Sequence, residues 1–425
     1  LLTICEMTDA EHEAAERKIT ELSKQGLRVI AVGVQSPESD CDIPKAITDC
    51  RLTLLGLIGL ADPPREGVAQ DIATCNKAGI RVVMITGDNG VTAAAIAQRI
   101  GLSHDGSTIT GDMLEQMSDD ELREAVKTVS IFSRVIPEHK MRIVKAFKEN
   151  GEIVAMTGDG VNDAPALKYA DIGIAMGERG SEVSREAADL ILMDDNFTTI
   201  VETVKDGRRI YDNIRKAVGY VFTIHIPIML SSLLAPLLGI NPAALMLLPL
   251  HVVLMELIID PTCSIVLERQ PAERDIMERA PRDPKKKLIS ASDLCKSILQ
   301  GLVIFAASFG TYYVVLGGNT ENASLARAMG LAIIMLSNLF LVQVNSSDHD
   351  FAWRSFLRLS HDKVMWAVNI GTMLMLLVIL YTPLNGLLKL GSLSFSQLCM
   401  VLAIAAASVL WYELVKLAKR LSAKR

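Results

Sequence analysis

Two carboxylates and an amide share one small-residue loop directly after an apolar run. The stretch V-A-M-T-G-D-G-V-N-D-A-P, Val154 to Pro165, carries Asp159, Asn162 and Asp163. A second loop of the same shape, Thr86-Gly87-Asp88-Asn89, follows R-V-V-M-I. Glycines let backbone N–H groups turn toward an anion, but a carboxylate among them repels phosphate unless a hard cation such as Mg²⁺ lies between. Asp159 is therefore the candidate Mg²⁺ ligand, with Asn162 and Asp163 near enough on the same loop to orient one another or a water. Lys140 begins a helix after Pro137 in F-S-R-V-I-P-E-H-K-M-R-I-V and offers the positive group that phosphoryl transfer needs on its equatorial oxygens. Each feature has a bland alternative: a turn with a helix cap for either loop, a solvated charge for the lysine. Both loops together with the lysine argue for phosphoryl chemistry.

A second set of chemically able residues sits in apolar surroundings, where burying an ionisable group is costly and marks function by default. Glu256 and Asp260, in L-M-E-L-I-I-D-P, are four apart and share a helix face, and Pro261 should loosen the helix and free carbonyls beside them. They form a candidate site of oxygen ligands for a hard cation, which His225 in Y-V-F-T-I-H-I-P would complete. For His225 the alternative is a polar group bonded to a neighbouring helix, and Pro227 can simply kink its span.

The elements that must position these residues follow from the hydrophobic pattern. Residues 1–60 alternate a polar helix with β-branched runs, a mixed α/β edge of a domain. From Asp62, short Val/Ile/Met strands each followed by a helix argue for a parallel, doubly wound α/β sheet, with ligands at the carboxyl ends of the strands. After Asp212 six apolar segments, roughly 216–239, 243–267, 293–316, 325–345, 364–384 and 395–416, approach the ~20 residues that span a bilayer. Residues 198–215, a helical pattern without proline, read as a stalk into the first span, with Gly207 its weak point. The expected organisation is thus 1–60, 61–197, 198–215 and a six-helix membrane domain over 216–425. Basic residues gather after the second span (Arg269 to Lys287), after the fourth (Arg354, Arg358, Lys363) and at the C-terminus, which places the α/β part and the C-terminus in the cytosol.

The formal charge of −6 on 425 residues, with basic residues dispersed, argues against nucleic-acid binding. Seven scattered cysteines without a C-x-x-C pair suggest reduced thiols in place of a disulfide framework or zinc site. The start L-L-T-I-C-E-M has neither initiator Met nor a signal peptide and is expected to be a piece of something longer.

The motifs T-G-D-N, F-S-R-V-I-P-E-H-K, M-T-G-D-G-V-N-D-A-P-A-L and D-P-P-R, followed by a stalk and six spans, resemble the C-terminal half of P-type cation-transporting ATPases, most closely the calcium-pump branch. The resemblance covers almost the whole chain. It implies a haloacid-dehalogenase-like phosphorylation domain that takes the γ-phosphate of ATP onto an aspartate and drives alternating access in an integral membrane protein, here expected in the plasma membrane. It further implies that Asp159 binds Mg²⁺, that Asn162 and Asp163 support the phosphorylated site, that Lys140 contacts the phosphoryl group, and that Thr86, Gly87 and Asp88 close over it. Arg28 in Q-G-L-R-V-I-A and Arg134 in the F-S-R-V segment would lie near the nucleotide, and Asp62 and Arg65 in the hinge.

The departures matter too. The family's phosphoacceptor motif D-K-T-G-T is absent from these residues, so the fragment alone is expected to be inactive. In the ion path His225 stands where an asparagine ligand is expected, Glu256 where an asparagine is usual, and Ile228 and Met335 where acidic ligands occur. Calcium is the leading ion, with Mg²⁺, Mn²⁺, K⁺ or H⁺ as alternatives, and no C-P-C points to a soft metal. A membrane-tethered phosphatase of the dehalogenase fold and a non-catalytic pump fragment are the other readings.

Overall fold

The computed structural model describes residues 1–35, 46–102, 107–347 and 363–423, with the side chains of residues 260, 263, 264, 419, 420 and 423 outside that set. Cys41, Arg354, Arg358 and the C-terminal Lys424 and Arg425 lie outside the described residues. The chain divides into two compact units, Leu1–Val204 with Met277–Pro281, and Lys205–Ile276 with Arg282–Arg425.

In the first unit α1 (Asp9–Lys24) begins at a capping box, in which Thr8 Oγ accepts the Glu11 N–H and Glu11 reaches back to Thr8 N. β1 (Arg28–Val34) and β2 (Thr53–Leu60) pair antiparallel. Strands and helices then alternate: α2 (Val68–Lys77), β3 (Met84–Ile85), α3 (Gly90–Arg99), β4 (Ile109–Thr110), α4 (Gly111–Gln116), α5 (Asp119–Ala125), β5 (Ile131–Ser133), α6 (Pro137–Glu149), β6 (Ala155–Gly158), α7 (Ala164–Tyr169), β7 (Ile172–Met176), α8 (Glu182–Ala187) and β8 (Leu190–Leu192). Every pairing among β3 to β8 is parallel, as the strand–helix alternation predicts. The expected single sheet is divided, however, into two of three strands, ordered β3-β5-β4 and β6-β7-β8. β3 and β6 carry the two acidic loops, and each is an edge strand with one partner among the described residues. Their free edges present backbone groups that a further strand could satisfy.

The helix α9 (Phe197–Leu237) runs unbroken for 41 residues, through Gly207 and with Pro227 and Pro236 inside it. That is about 60 Å of helix at the usual rise. The longer helices that follow are α10 (Pro249–Pro261), α11 (Ala291–Leu316), α12 (Ala323–Asn345), α13 (Lys363–Tyr381) and α14 (Phe395–Ala423), with one helical turn, Leu384–Leu387, in the connection between the last two. Among the described residues six helices are long and apolar enough to cross a membrane, where the sequence placed six segments. The span on α12 is 83% buried and the other five between 28% and 39%, which makes α12 the central helix of its unit. Small residues allow that position: a Cβ on Gly330 would come 2.6 Å from Met246 Cε. At Gly301 of α11 a Cβ would come 2.7 Å from Thr223 O of α9. Beyond Pro261, α10 gives way to a wider π-helical turn, Thr262–Leu267, as expected where a proline removes a helical hydrogen bond.

Candidate functional site

The loop after β6 is built around Asp163. Its carboxylate is buried, with Oδ1 accepting from Lys140 Nζ at 2.5 Å and Oδ2 accepting the Gly160 N–H at 3.2 Å. Gly158 is required sterically, because a Cβ there would meet Asp163 Cβ at 2.5 Å. Pro137 opens α6, which puts Lys140 in the first turn, half-buried. Lys140 follows β5 in one sheet and Asp163 follows β6 in the other, so their contact joins the two sheets at their carboxyl ends. Asp159 presents an exposed carboxylate, while its backbone oxygen accepts the Ser181 N–H (2.8 Å) and the Ser184 hydroxyl (3.2 Å). Asn162 is exposed on the same loop.

Thr86 and Asp88 bond one another, Thr86 Oγ1 to Asp88 Oδ2 at 3.2 Å and Asp88 N–H to Thr86 Oγ1 at 3.1 Å. Gly87 between them is exposed and open on all sides, leaving room for a ligand's approach. The Arg134 N–H donates to Asp88 O (3.0 Å) and the Val135 N–H to Thr86 O (3.1 Å), which fastens this loop to the segment leading to Lys140. Arg134 is exposed and left-handed, φ 49°, and Gly111 makes room for its carbonyl. Arg28 is exposed at the start of β1 opposite Leu60 and enters none of these hydrogen bonds.

The donor set suits Mg²⁺: one exposed hard carboxylate, Asp159, on a backbone pinned by two serines, where this ion commonly uses one or two carboxylates plus phosphate and water. Among the described residues no group of three His, Cys, Asp or Glu forms a closed metal cage. Sequence reasoning missed Ser181, Ser184 and Asp195. Asp195 has φ 50°, and its carboxylate accepts the N–H groups of Gly177 (2.8 Å), Glu178 (3.1 Å) and Arg179 (2.9 Å), fixing the turn before Ser181. Burial opposes its charge, but these three donors together hold its carboxyl below the usual range. Arg65 donates to its backbone oxygen. The one sequence signal was the D-D-N run ahead of a helix.

In the second unit His225 Nε2 lies 3.0 Å from Glu256 Oε1, and its Nδ1 lies 2.8 Å from Val221 O one turn back. The carbonyl has no hydrogen, so Nδ1 supplies it, and a proton then lies between Nε2 and the carboxyl group. His225 thus bonds a neighbouring helix, α10, through Glu256. Asp260 follows one turn along α10, with its side chain outside the described residues. Ile228 and Met335, where the resemblance implies acidic ligands, are buried and apolar.

Residues 8–171 match the model of the haloacid dehalogenase-like hydrolases, and residues 244–418 match that of the cation transporting ATPase C-terminus. The chain is 39% identical to a calcium-transporting ATPase of Bacillus subtilis over 93% of its own length and 44% of the relative's. It is 32% identical to the human calcium-transporting ATPase type 2C member 1 over 97% of its length and 43% of the relative's. To the cation-transporting ATPase pma1 of Synechocystis it is 37% identical, over 83% and 39%. The chain belongs to the P-type cation-transporting ATPases, of the calcium-pump-like kind. It corresponds to their C-terminal portion and spans less than half the length of these relatives.

Proposed function

We propose that this chain supplies half of the phosphorylation site and the cation path of an ATP-driven pump, with calcium as the transported ion. The observation that carries the reading is the Lys140–Asp163 contact, which brings a cation and a carboxylate from two half-sheets to one mouth beside Asp159. Lys140 supplies positive charge for the transferring phosphoryl group, and Asp163 holds that lysine in place. Asn162 and the Thr86–Asp88 loop border the same mouth, with Arg28 and Arg134 contacting ATP. Mg²⁺, held by Asp159, would neutralise phosphate charge. The acceptor aspartate would arrive on a strand from another segment, for which the edges of β3 and β6 are the open places.

Glu256 and Asp260 would be oxygen ligands of the transported cation, with His225 beside them. The relatives' names favour calcium, and the apolar Ile228 and Met335 favour fewer carboxylate ligands than a two-site calcium pump has. The basic connections support a cytosolic first unit and C-terminus, and the plasma membrane is the proposed location. The test is phosphorylation of the full-length pump, or of this chain co-expressed with its N-terminal half, by γ-labelled ATP. A hydroxylamine-labile phosphoenzyme that depends on calcium, and that Asp159→Asn abolishes, is expected. Absence of such an intermediate under any cation would overturn the reading.

A further inference from the structure

Three large polar side chains are buried at one end of the second unit and take no part in the cation pair: His251 (0% exposed), Tyr312 (0%) and Arg327 (2%). All three bond backbone carbonyls of two turns, one joining α9 to α10 and the other joining α13 to α14. Arg327 donates from Nε to Leu245 O (2.8 Å), from Nη2 to Ala243 O (2.9 Å) and from Nη1 to Lys389 O (2.6 Å). Among the described residues it forms no ion pair. The Tyr312 hydroxyl donates to Ala244 O at 2.5 Å. His251 completes the set, with Nε2 2.8 Å from Leu388 O and Nδ1 3.2 Å from the Leu248 nitrogen.

The partners of His251 settle its proton. Leu388 O cannot donate, so Nε2 carries a hydrogen; the Leu248 N–H cannot accept, so Nδ1 is bare. Only the neutral Nε2–H tautomer satisfies both. A second proton would set N–H against N–H and add a positive charge among groups that already include Arg327. The Leu388 and Met246 backbones also face the ring, but the charged and titratable side chains here bring it no negative charge: besides Arg327, Tyr312 on α11 is a neutral hydroxyl and Lys389 on the turn has an exposed side chain.

We infer that His251, Arg327 and Tyr312 form an acid-releasable clamp that holds the two turns at this end of the membrane bundle together. The clamp admits only neutral imidazole. Free imidazole titrates at about 6.5, so the closed form loses population by about tenfold per pH unit below that value and is unaffected above it. In the pump reading these turns face away from the cytosol, and acid on that side would favour their opening; the clamp itself does not depend on which ion is carried.

Hydrogen exchange on the 425-residue chain in lipid nanodiscs tests this without any transport assay. After correction for the intrinsic pH dependence of exchange, peptides covering 241–248 and 384–391 should exchange about tenfold faster at pH 5.5 than at pH 7.5, with α12 peptides unchanged. His251→Gln, which keeps a donor and an acceptor but does not titrate, should abolish that ratio, and Arg327→Met should loosen both turns at both pH values. A corrected ratio of one in the wild-type chain, or an undiminished ratio in His251→Gln, would overturn the clamp. Should the variant fail to fold, nitrogen-15 histidine spectra of the wild-type chain decide instead: a His251 already doubly protonated at pH 7.5, or bare at Nε2, sinks the proposal.

Discussion

Asp163 shows how one buried side chain explains several residues of a motif. Its contact with Lys140 accounts for the lysine's position, and its Cβ accounts for Gly158, which sequence reasoning had assigned only to turning N–H groups toward an anion. Gly158→Ala should therefore destabilise the first unit by about 1–3 kcal/mol through overpacking, read from denaturant unfolding. Lys140→Ala strands a buried carboxylate and should cost about 3 kcal/mol, more than the double change Lys140→Ala with Asp163→Asn, because removing both charges leaves none uncompensated. Unfolding of the two variants side by side measures this. An equal or larger loss in the double variant would show that the pair does not act as a unit. In the membrane part, Glu256→Gln in the full-length pump should shift the cation dependence of phosphoenzyme formation, and an unshifted dependence would remove Glu256 from the path.

At the scale of elements, the turn after β7 is held by Asp195 through three N–H groups that no periodicity announces. Its carboxyl is held low in the folded state, so its stabilisation is present above the unfolded value of about 3.9 and is lost as pH falls through the folded value. The stability difference between wild type and Asp195→Asn should accordingly be constant from pH 5 to 8 and shrink below about pH 4. Thermal unfolding across that range tests the sign. Gly301 sets the approach of α11 to α9, and Gly301→Val should cost about 1–3 kcal/mol in detergent unfolding, since the obstacles include the backbone oxygen of Thr223 and the Cβ of Ile226, neither of which is the far end of a flexible side chain.

For the whole molecule, the two free strand edges have a direct consequence. β3 and β6 end in the two acidic loops, and neither has a second partner among the described residues. Co-expression with an N-terminal half carrying an apolar strand and an aspartate should protect the edge-facing amides of β3 and β6, that of Ile85 among them, from exchange by an order of magnitude or more. Unchanged protection in a complex that demonstrably forms would mean the acceptor docks elsewhere.

The sequence by itself determined what depends on neighbours in the chain: the strand–helix alternation, the six spans, the glycine-bordered carboxylates, Pro137 at a helix start and Pro261 at a helix end. These are local because propensity, capping and hydrophobic periodicity act within a few residues. Tertiary structure decided which groups meet. Lys140 reaches Asp163 across two sheets, His225 turns to Glu256 on the next helix, and Arg327 ties two turns that are distant in sequence. It also decided that the parallel strands stand as two sheets and that α12 is the central span. Such partners are chosen by packing and by the cost of leaving a buried polar group unpaired, which no spacing along the chain records.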